Sequence, residues 1–145
     1  LQSNKAKQVA LHFDWMHGLD RLKIASVLGA ERAGMPPLNV CVQVNASGES
    51  SKSGVSPGEA LAFATEVAAI PGLKLRGLMS IIENSRDESI LRGQFRLMRQ
   101  LYDEARRNRL DMDTLSMGMS QDFRIAIEEG STMVRVGSAI FGART

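Results

Sequence analysis

The stretch LNVCVQVN at residues 38–45 carries the clearest strand pattern of the chain. Its three valines stand at every second position, so they are expected on one face of a strand. Cys41, Gln43 and Asn45 are expected on the opposite face. An alanine-rich helical pattern over residues 58–70 follows this strand after a Ser/Gly-rich loop. A strand followed by a helix is the unit from which parallel sheets are built.

The same alternation of strands and helices extends over the rest of the chain. Strands are predicted at residues 15–17, 38–45, 74–80, 114–116 and 132–136. Five helices are predicted, at residues 5–13, between Asp20 and residue 34, at residues 58–70, after Ser89, and at residues 121–129. Asp20, Ser89 and Ser120 are the predicted N-caps of the second, fourth and fifth of these helices. Strands joined by helical crossovers pair in parallel, so the fold class is predicted to be α/β.

Two closures of such a sheet remain open at this point, a doubly wound sheet and a (β/α)8 TIM barrel. No G-x-G-x-x-G motif follows the first predicted strand, which argues against the dinucleotide-binding version. Five strands cannot close an eight-stranded barrel, so a barrel would lack roughly its first three strands. The expected organisation is a single domain over residues 1–145, which as a barrel would be a partial one, the C-terminal portion of a TIM barrel.

Charge balance and cysteine content exclude several classes of protein. The 18 basic and 16 acidic side chains leave a net charge of +2, and the densest basic stretch is expected at a solvated helix end, so no nucleic-acid partner is expected. Cys41 is the single cysteine, which fits a reducing, cytoplasmic location. No apolar run approaches the roughly 20 residues of a membrane span. His12 and His17 have no cluster of cysteines or carboxylates around them, so no metal site is expected.

Three predicted strand ends are rich in small and polar residues. One is Gln43 to Asn45, and the other two together favour a phosphate site. The segment from Ser116 to Ser120 joins a strand to a helix N-terminus, where unpaired backbone N–H groups and the helix dipole favour an anion. Gly118 within it lets a ligand approach the backbone closely. Gly137 and Ser138 follow the last strand, and the loops after the last two strands of a TIM barrel often bind phosphate. A plain N-cap is the competing interpretation of Ser120.

Arg135 is the one charged residue in the MVRV pattern of the last strand. A charge in a buried strand needs a partner, so Arg135 either pairs with a carboxylate or meets a ligand. Strand alternation predicts that Arg135 points to the ligand side of the sheet, with Val134 and Val136 under the helices. Asp111 and Asp113, in contrast, have the pattern of solvated turn residues.

At these residues the chain resembles the pyridoxal 5′-phosphate (PLP) homeostasis protein family. The most specific motifs are LSMGMS at 115–120 and GSTMVRVGSAIFG at 130–142, in this order and spacing. Further matches are Asn45 with KSG at 52–54, LRGLM at 75–79 and LQSNK at 1–5. The resemblance covers essentially the whole chain and is weakest over residues 81–92.

The resemblance implies an alanine-racemase-like barrel that binds PLP. In that family PLP forms a Schiff base with a lysine on an early barrel strand, in a segment that this chain does not contain, so no lysine here is given that role. The phosphate is expected in the two loops described above, and Arg135 near the pyridine nitrogen. The cofactor-binding residues implied are Ser116, Met117, Gly118, Ser120, Arg135, Gly137 and Ser138.

The function that the resemblance implies is intracellular PLP homeostasis by a non-catalytic carrier or regulator. An arginine donates to the ring nitrogen and keeps it unprotonated, which weakens the cofactor as an electron sink. The alternative is an amino-acid racemase of the same fold, which would need a catalytic tyrosine from a second domain. The single tyrosine, Tyr102, instead lies in a helix stripe that looks structural. A barrel for another phosphorylated ligand is a third alternative.

PLP is therefore the expected partner, and phosphate or sulfate can take its place. A five-stranded parallel sheet leaves its first edge unpaired, and such an edge needs cover. The chain is expected either to be accompanied by the missing N-terminal segment or to associate with another copy through that edge.

Overall fold

The computed structural model describes residues 3–48, 53–82, 85–119 and 121–135. Within these residues, five strands and five α-helices alternate, with one 3-10 turn at Pro57–Glu59. The strands are β1 (Trp15–Leu19), β2 (Leu38–Gln43), β3 (Leu73–Met79), β4 (Thr114–Met119) and β5 (Met133–Arg135). The helices are α1 (Ser3–His12), α2 (Leu22–Glu31), α3 (Ala60–Ala68), α4 (Glu88–Arg107) and α5 (Phe123–Glu128).

The order of the strands in the sheet decides between the two closures. All neighbouring strands pair in parallel, and their order is β1-β2-β3-β4-β5, the same as in the sequence. A doubly wound sheet would reverse its strand order at one point, whereas a barrel adds each strand beside the previous one. Each helix packs on the next from α1 to α5, so the helices cover one face. The predicted partial barrel is confirmed.

The two faces of β2 differ as the sequence predicts. Val40, Val42 and Val44 are fully buried in the core that the strands share with the helices. Cys41 and Gln43 alternate with them and are buried on the opposite face, away from the helices. This second face is the one that a complete barrel would enclose, and it carries polar groups.

Bulges in three strands bend the sheet. The pairing register slips by one residue in β1 after Met16, in β3 at Arg76 and in β4 after Ser116. An extra residue on one strand increases the local twist and bends that strand, which is how a flat sheet is curved toward a barrel. A glycine lies at or beside each slip, at positions 18, 77 and 118.

Two predicted helix caps differ from those in the structure. The residue before α2 is Arg21, and the Asp20 carboxylate accepts the Gly54 N–H at 2.9 Å instead of capping the helix. The α4 helix is capped by Asp87, whose carboxylate accepts the N–H groups of Ser89 and Ile90. Both predicted caps lie within two residues of the observed helix starts. In each case more than one nearby side chain could accept backbone N–H groups, so the sequence pattern did not fix the first residue of the helix.

None of the helices within the described residues is both long and apolar enough to cross a membrane.

We expect Gly77→Ala to be strongly destabilising, because a Cβ at this position would lie 1.6 Å from the carbonyl oxygen of Thr114 on the neighbouring strand. Backbone cannot yield as a flexible side chain does, so the loss should be about 3 kcal/mol or more. Gly93→Ala is the matched control, because it adds a methyl group to an exposed helical site with nothing within 4 Å. It should stabilise the protein by about 1 kcal/mol. Urea unfolding of the two full-length variants measures both effects, and equal midpoints would contradict the expectation.

Candidate functional site

The carboxyl ends of β4 and β5 lie side by side. Ser116 pairs with Met133, and Met119 pairs with Arg135, in parallel register. The chain therefore leaves both strands at the same edge of the sheet, where ligands bind in this class of fold. The predicted loop from Ser116 to Ser120 does not follow β4, because this strand extends to Met119 rather than to residue 116 and so contains residues 116–119. Gly137 and Ser138 lie outside the described residues.

Ser116 lies on the face of β4 that points away from the helices. Its neighbours Leu115 and Met117 are buried in the helix-facing core, so alternation places Ser116 on the other side, where it is also fully buried. Its carbonyl oxygen accepts the Ser80 N–H at 3.0 Å. The Ser80 hydroxyl in turn donates to the Val44 carbonyl at 2.9 Å. Ser80, which the sequence did not single out, thus ties together the ends of β2, β3 and β4.

Met117 and Gly118 face α5 rather than the open side of the sheet. The Met117 side chain is fully buried in the core, and its carbonyl oxygen accepts the Ser131 hydroxyl at 2.8 Å. A Cβ on Gly118, which has φ +102°, would lie 2.6 Å from the Cβ of Ala126 and 3.3 Å from Cγ1 of Val134. The missing side chain therefore makes room for α5, a role that the sequence did not reveal.

The helix after β4 begins later than predicted. It starts at Phe123 rather than at residue 121, and the Asp122 carboxylate just before it accepts the Met119 N–H at 2.7 Å. With six residues, α5 has a weaker dipole than the predicted helix, so loop N–H groups are the better anion donors here. Ser120 lies outside the described residues.

Arg135 is the last residue of β5. The structure describes its backbone, which pairs with Met119, but not its side chain. Val134, one residue earlier, is half-buried against the helix-facing core, as the alternation predicts. Val136 lies outside the described residues, so the predicted direction of the Arg135 side chain stays a prediction.

The third polar strand end, after β2, is closed by its own loop. The Val55 N–H donates to the Gln43 carbonyl at 2.9 Å, and the Asn45 N–H donates to the Val55 carbonyl at 2.8 Å. The Gly54 N–H is held by Asp20, which follows β1. A Cβ on Gly54 would lie 2.7 Å from the Asn45 nitrogen, so only glycine fits this close approach. The loop is thereby fixed to the ends of β1 and β2.

A polar cluster occupies the opposite, amino-terminal end of the strands. The Arg76 guanidinium donates to both carboxylate oxygens of Asp113, at 3.0 and 2.5 Å, and to Oδ1 of Asn39 at 3.2 Å. It also lies 4.5 Å from the ring centroid of Trp15. Asp113 is an exposed residue just before β4, as predicted, and its carboxylate in addition joins β3 to the start of β4. Contacts at this end of a barrel stabilise the fold rather than take part in its chemistry.

A cleft of about 840 Å³ opens between the first turns of α4 and α5. These turns follow β3 and β4, so the cleft lies at the same edge of the sheet as the predicted phosphate loops. It is lined by Ser85, Arg86, Glu88, Leu91, Gln121, Asp122, Phe123, Arg124 and Ile125. Within the described ranges, no group of three or more histidine, cysteine or carboxylate residues could hold a metal ion.

Comparison with known proteins places this geometry in a family. The model of the family described as alanine racemase, N-terminal domain, matches residues 2–145. The chain therefore belongs to the alanine racemase N-terminal domain family and, within it, to the pyridoxal phosphate homeostasis proteins. The family and the barrel fold predicted from the sequence motifs are thereby confirmed.

The relatives are longer than this chain. The pyridoxal phosphate homeostasis protein of Pseudomonas aeruginosa is 51% identical over 145 residues, which cover 99% of this chain and 62% of that protein. An unknown protein from Bifidobacterium adolescentis is 38% identical, with a TM-score of 0.92 over 97% of this chain and 58% of its own. PipY of Synechococcus elongatus with PLP bound is 30% identical, with a TM-score of 0.86 over 98% of this chain and 67% of its own.

The Arg76–Asp113 pair should make stability depend on pH. Hydrogen bonds from Arg76 hold the pKa of Asp113 below its usual value, so the pair stabilises the fold above that value and loses its effect as the pH falls through the lowered pKa. Because the Asp113 side chain is 60% exposed, the contribution should be about 1 kcal/mol or less. Asp113→Asn should therefore lower the free energy of unfolding at pH 7 and lower it much less at pH 3. The control substitution at the exposed neighbour, Asp111→Asn, should show no such difference between the two pH values. Urea unfolding at the two pH values checks this, and an equal loss at both would contradict it.

Proposed function

We propose that the protein containing this chain binds PLP and buffers or delivers it, without turnover of its own. The observation that carries the proposal is the pairing of β4 with β5, because each of these strands lies within one of the two motifs through which the chain resembles the PLP homeostasis family. A relative of the same fold, PipY, has been solved with PLP bound. The chain spans about 62% of the length of its curated relatives, so the activity proposed is that of the whole protein.

This chain would supply the phosphate side of the site. Backbone N–H groups of the two loops and serine hydroxyls are the donors that a phosphate needs at the end of a parallel strand. Ser116 suits this role because it lies in β4 on the face away from the helices. The proposed set comprises Ser116, Met117, Gly118, Ser120, Arg135, Gly137 and Ser138.

Arg135 would face the pyridine nitrogen of the cofactor. A guanidinium has donors but no acceptor and stays charged, so the nitrogen that it meets stays unprotonated. PLP with an unprotonated ring nitrogen is a weaker electron sink, which suits a carrier better than an enzyme. Tyr102 argues against the racemase alternative, because it is buried and donates its hydroxyl to the Met112 carbonyl at 3.3 Å.

Arg135→Glu in the full-length protein should weaken PLP binding by about tenfold or more, because it places a carboxylate where a cation is proposed. The visible spectrum of the bound cofactor should also shift, since the ring nitrogen loses its donor. Arg107→Glu is the matched control, because Arg107 is an exposed residue at the end of α4. Spectral titration with PLP measures both variants. Identical affinity and spectrum for Arg135→Glu and the unaltered protein would overturn the assignment of Arg135.

The lysine that links PLP covalently is proposed to lie in the part of the relatives' length that this chain does not cover. Among the described residues, no strand pairs with the outer edge of β1. Residues 1–145 expressed alone should therefore self-associate through that edge. They should also form no stable covalent PLP adduct, because the proposed lysine is not among them. Light scattering and borohydride trapping with PLP test the two statements. A monomer with one trapped lysine would contradict both.

A further inference from the structure

One polar side chain on the face of the sheet away from the helices is nearly buried and has no partner. Gln43, the last residue of β2, is 9% exposed. Its side-chain amide makes no hydrogen bond within the described part of the chain. Buried polar groups are nearly always paired, because leaving one unpaired costs free energy. An amide of this kind is therefore expected to meet its partner in a bound ligand.

The backbone of Gln43 is fixed, so its amide cannot turn elsewhere for a partner. Its carbonyl oxygen accepts the Val55 N–H at 2.9 Å, and the next residue, Val44, donates its N–H to the Met79 carbonyl at 2.9 Å. Val42 and Val44 on either side are buried in the helix-facing core. Strand alternation therefore directs the Gln43 side chain to the face that a complete barrel would enclose.

Gly18 on the neighbouring strand makes room for this amide. A Cβ at position 18 would lie 3.0 Å from Oε1 of Gln43, which is closer than ordinary van der Waals contact. Gly18 is not among the glycines with a positive φ, so its backbone conformation does not itself require glycine. The missing side chain thus leaves space that the Gln43 amide occupies.

Gln43 also shares a row with the serine that is proposed to bind the phosphate. Gln43 pairs with Met79, and Met79 pairs with Ser116, so the three residues lie in register across β2, β3 and β4. Residues in register on parallel strands point to the same face. Met79 agrees with this, since it is buried but does not belong to the helix-facing core. The Gln43 amide and the Ser116 side chain therefore face the same space.

The chemistry of PLP indicates which of its groups this amide would meet. The proposed function assigns the phosphate to the region of β4 and β5, the ring nitrogen to Arg135 and the aldehyde to a lysine. The 3-hydroxyl is the polar group that remains, and it lies on the opposite side of the ring from the nitrogen. A cofactor whose nitrogen faces β5 would therefore turn this hydroxyl toward β3 and β2. Its oxygen, when ionised, is a strong acceptor for amide N–H groups.

We infer that the Gln43 amide donates a hydrogen bond to the 3-hydroxyl oxygen of PLP, in the space that Gly18 leaves open. This role presupposes the proposed function and adds to it a ligand contact from β2. Gln43 would recognise the ring of the cofactor rather than its phosphate. The protein would thereby distinguish PLP from phosphorylated compounds that lack this hydroxyl.

Gln43→Met in the full-length, PLP-free protein keeps the length of the side chain and removes the amide. It should weaken PLP binding about tenfold, because hydrogen bonds to charged groups are the stronger ones. Binding of 3-deoxypyridoxal 5′-phosphate, in which hydrogen replaces the hydroxyl, should change by less than about twofold. Gln100→Met makes the same change at an exposed site of α4 and should leave both affinities unchanged. Titration calorimetry measures all of them.

Urea unfolding without PLP separates a ligand contact from a structural one. If the amide has no partner until the cofactor binds, Gln43→Met should leave the unfolding midpoint unchanged or raise it. A partner elsewhere in the full-length protein would lower the midpoint instead. A lowered midpoint, equal losses of affinity for the two compounds, or no loss for either would each overturn the inference.

Gln43→Leu gives the same comparisons should Gln43→Met fail to fold. Failure of both variants to fold would overturn the inference, since the amide would then be needed by the fold itself. If the unaltered protein binds neither compound, the proposed function fails. If it binds PLP and the variants lose both compounds equally, the proposed function stands and only the role of Gln43 is wrong.

Discussion

Parallel pairing of consecutive strands is the constraint on which the rest of this structure depends. Because β1 to β5 run in one direction and in chain order, every strand ends at the same edge of the sheet. Polar segments that are far apart in the chain are thereby collected at one edge, while the helices are left to cover one face. The adjacency of the β4 and β5 ends follows from this pairing, and so does the separation of a ligand end from a structural end.

The two ends of the strands use polar residues in different ways. At the amino-terminal end, Arg76 is satisfied within the protein by Asp113, Asn39 and the ring of Trp15. At the carboxyl end, the loop after β2 is closed by its own hydrogen bonds. The arginines of α4 hold residues 128–130, which join α5 to β5.

The periodic patterns of apolar residues that arise within a single strand or helix predict the structure correctly. The alternation in β2 and the apolar stripe of α4 from Leu91 to Ala105 are both as predicted, because each reflects a single boundary between core and surroundings. Helix starts were less accurate, since several nearby side chains can cap a helix and only the surrounding contacts select one. Asp20 holds a distant loop and does not cap α2. The helix α5 begins at Phe123, two residues later than predicted.

The amino-acid sequence by itself determined the α/β class, the partial barrel's order of elements and the motifs of the β4 and β5 ends. These are local properties, set by hydrophobic period and by residue types within a few positions. Only the tertiary structure decided that Arg76 meets Asp113, 37 residues away, and that Arg92 meets Glu128 and Glu129. Such pairs depend on strand register, on the bulges that shift it and on how neighbouring helices pack, and no local pattern encodes these distances.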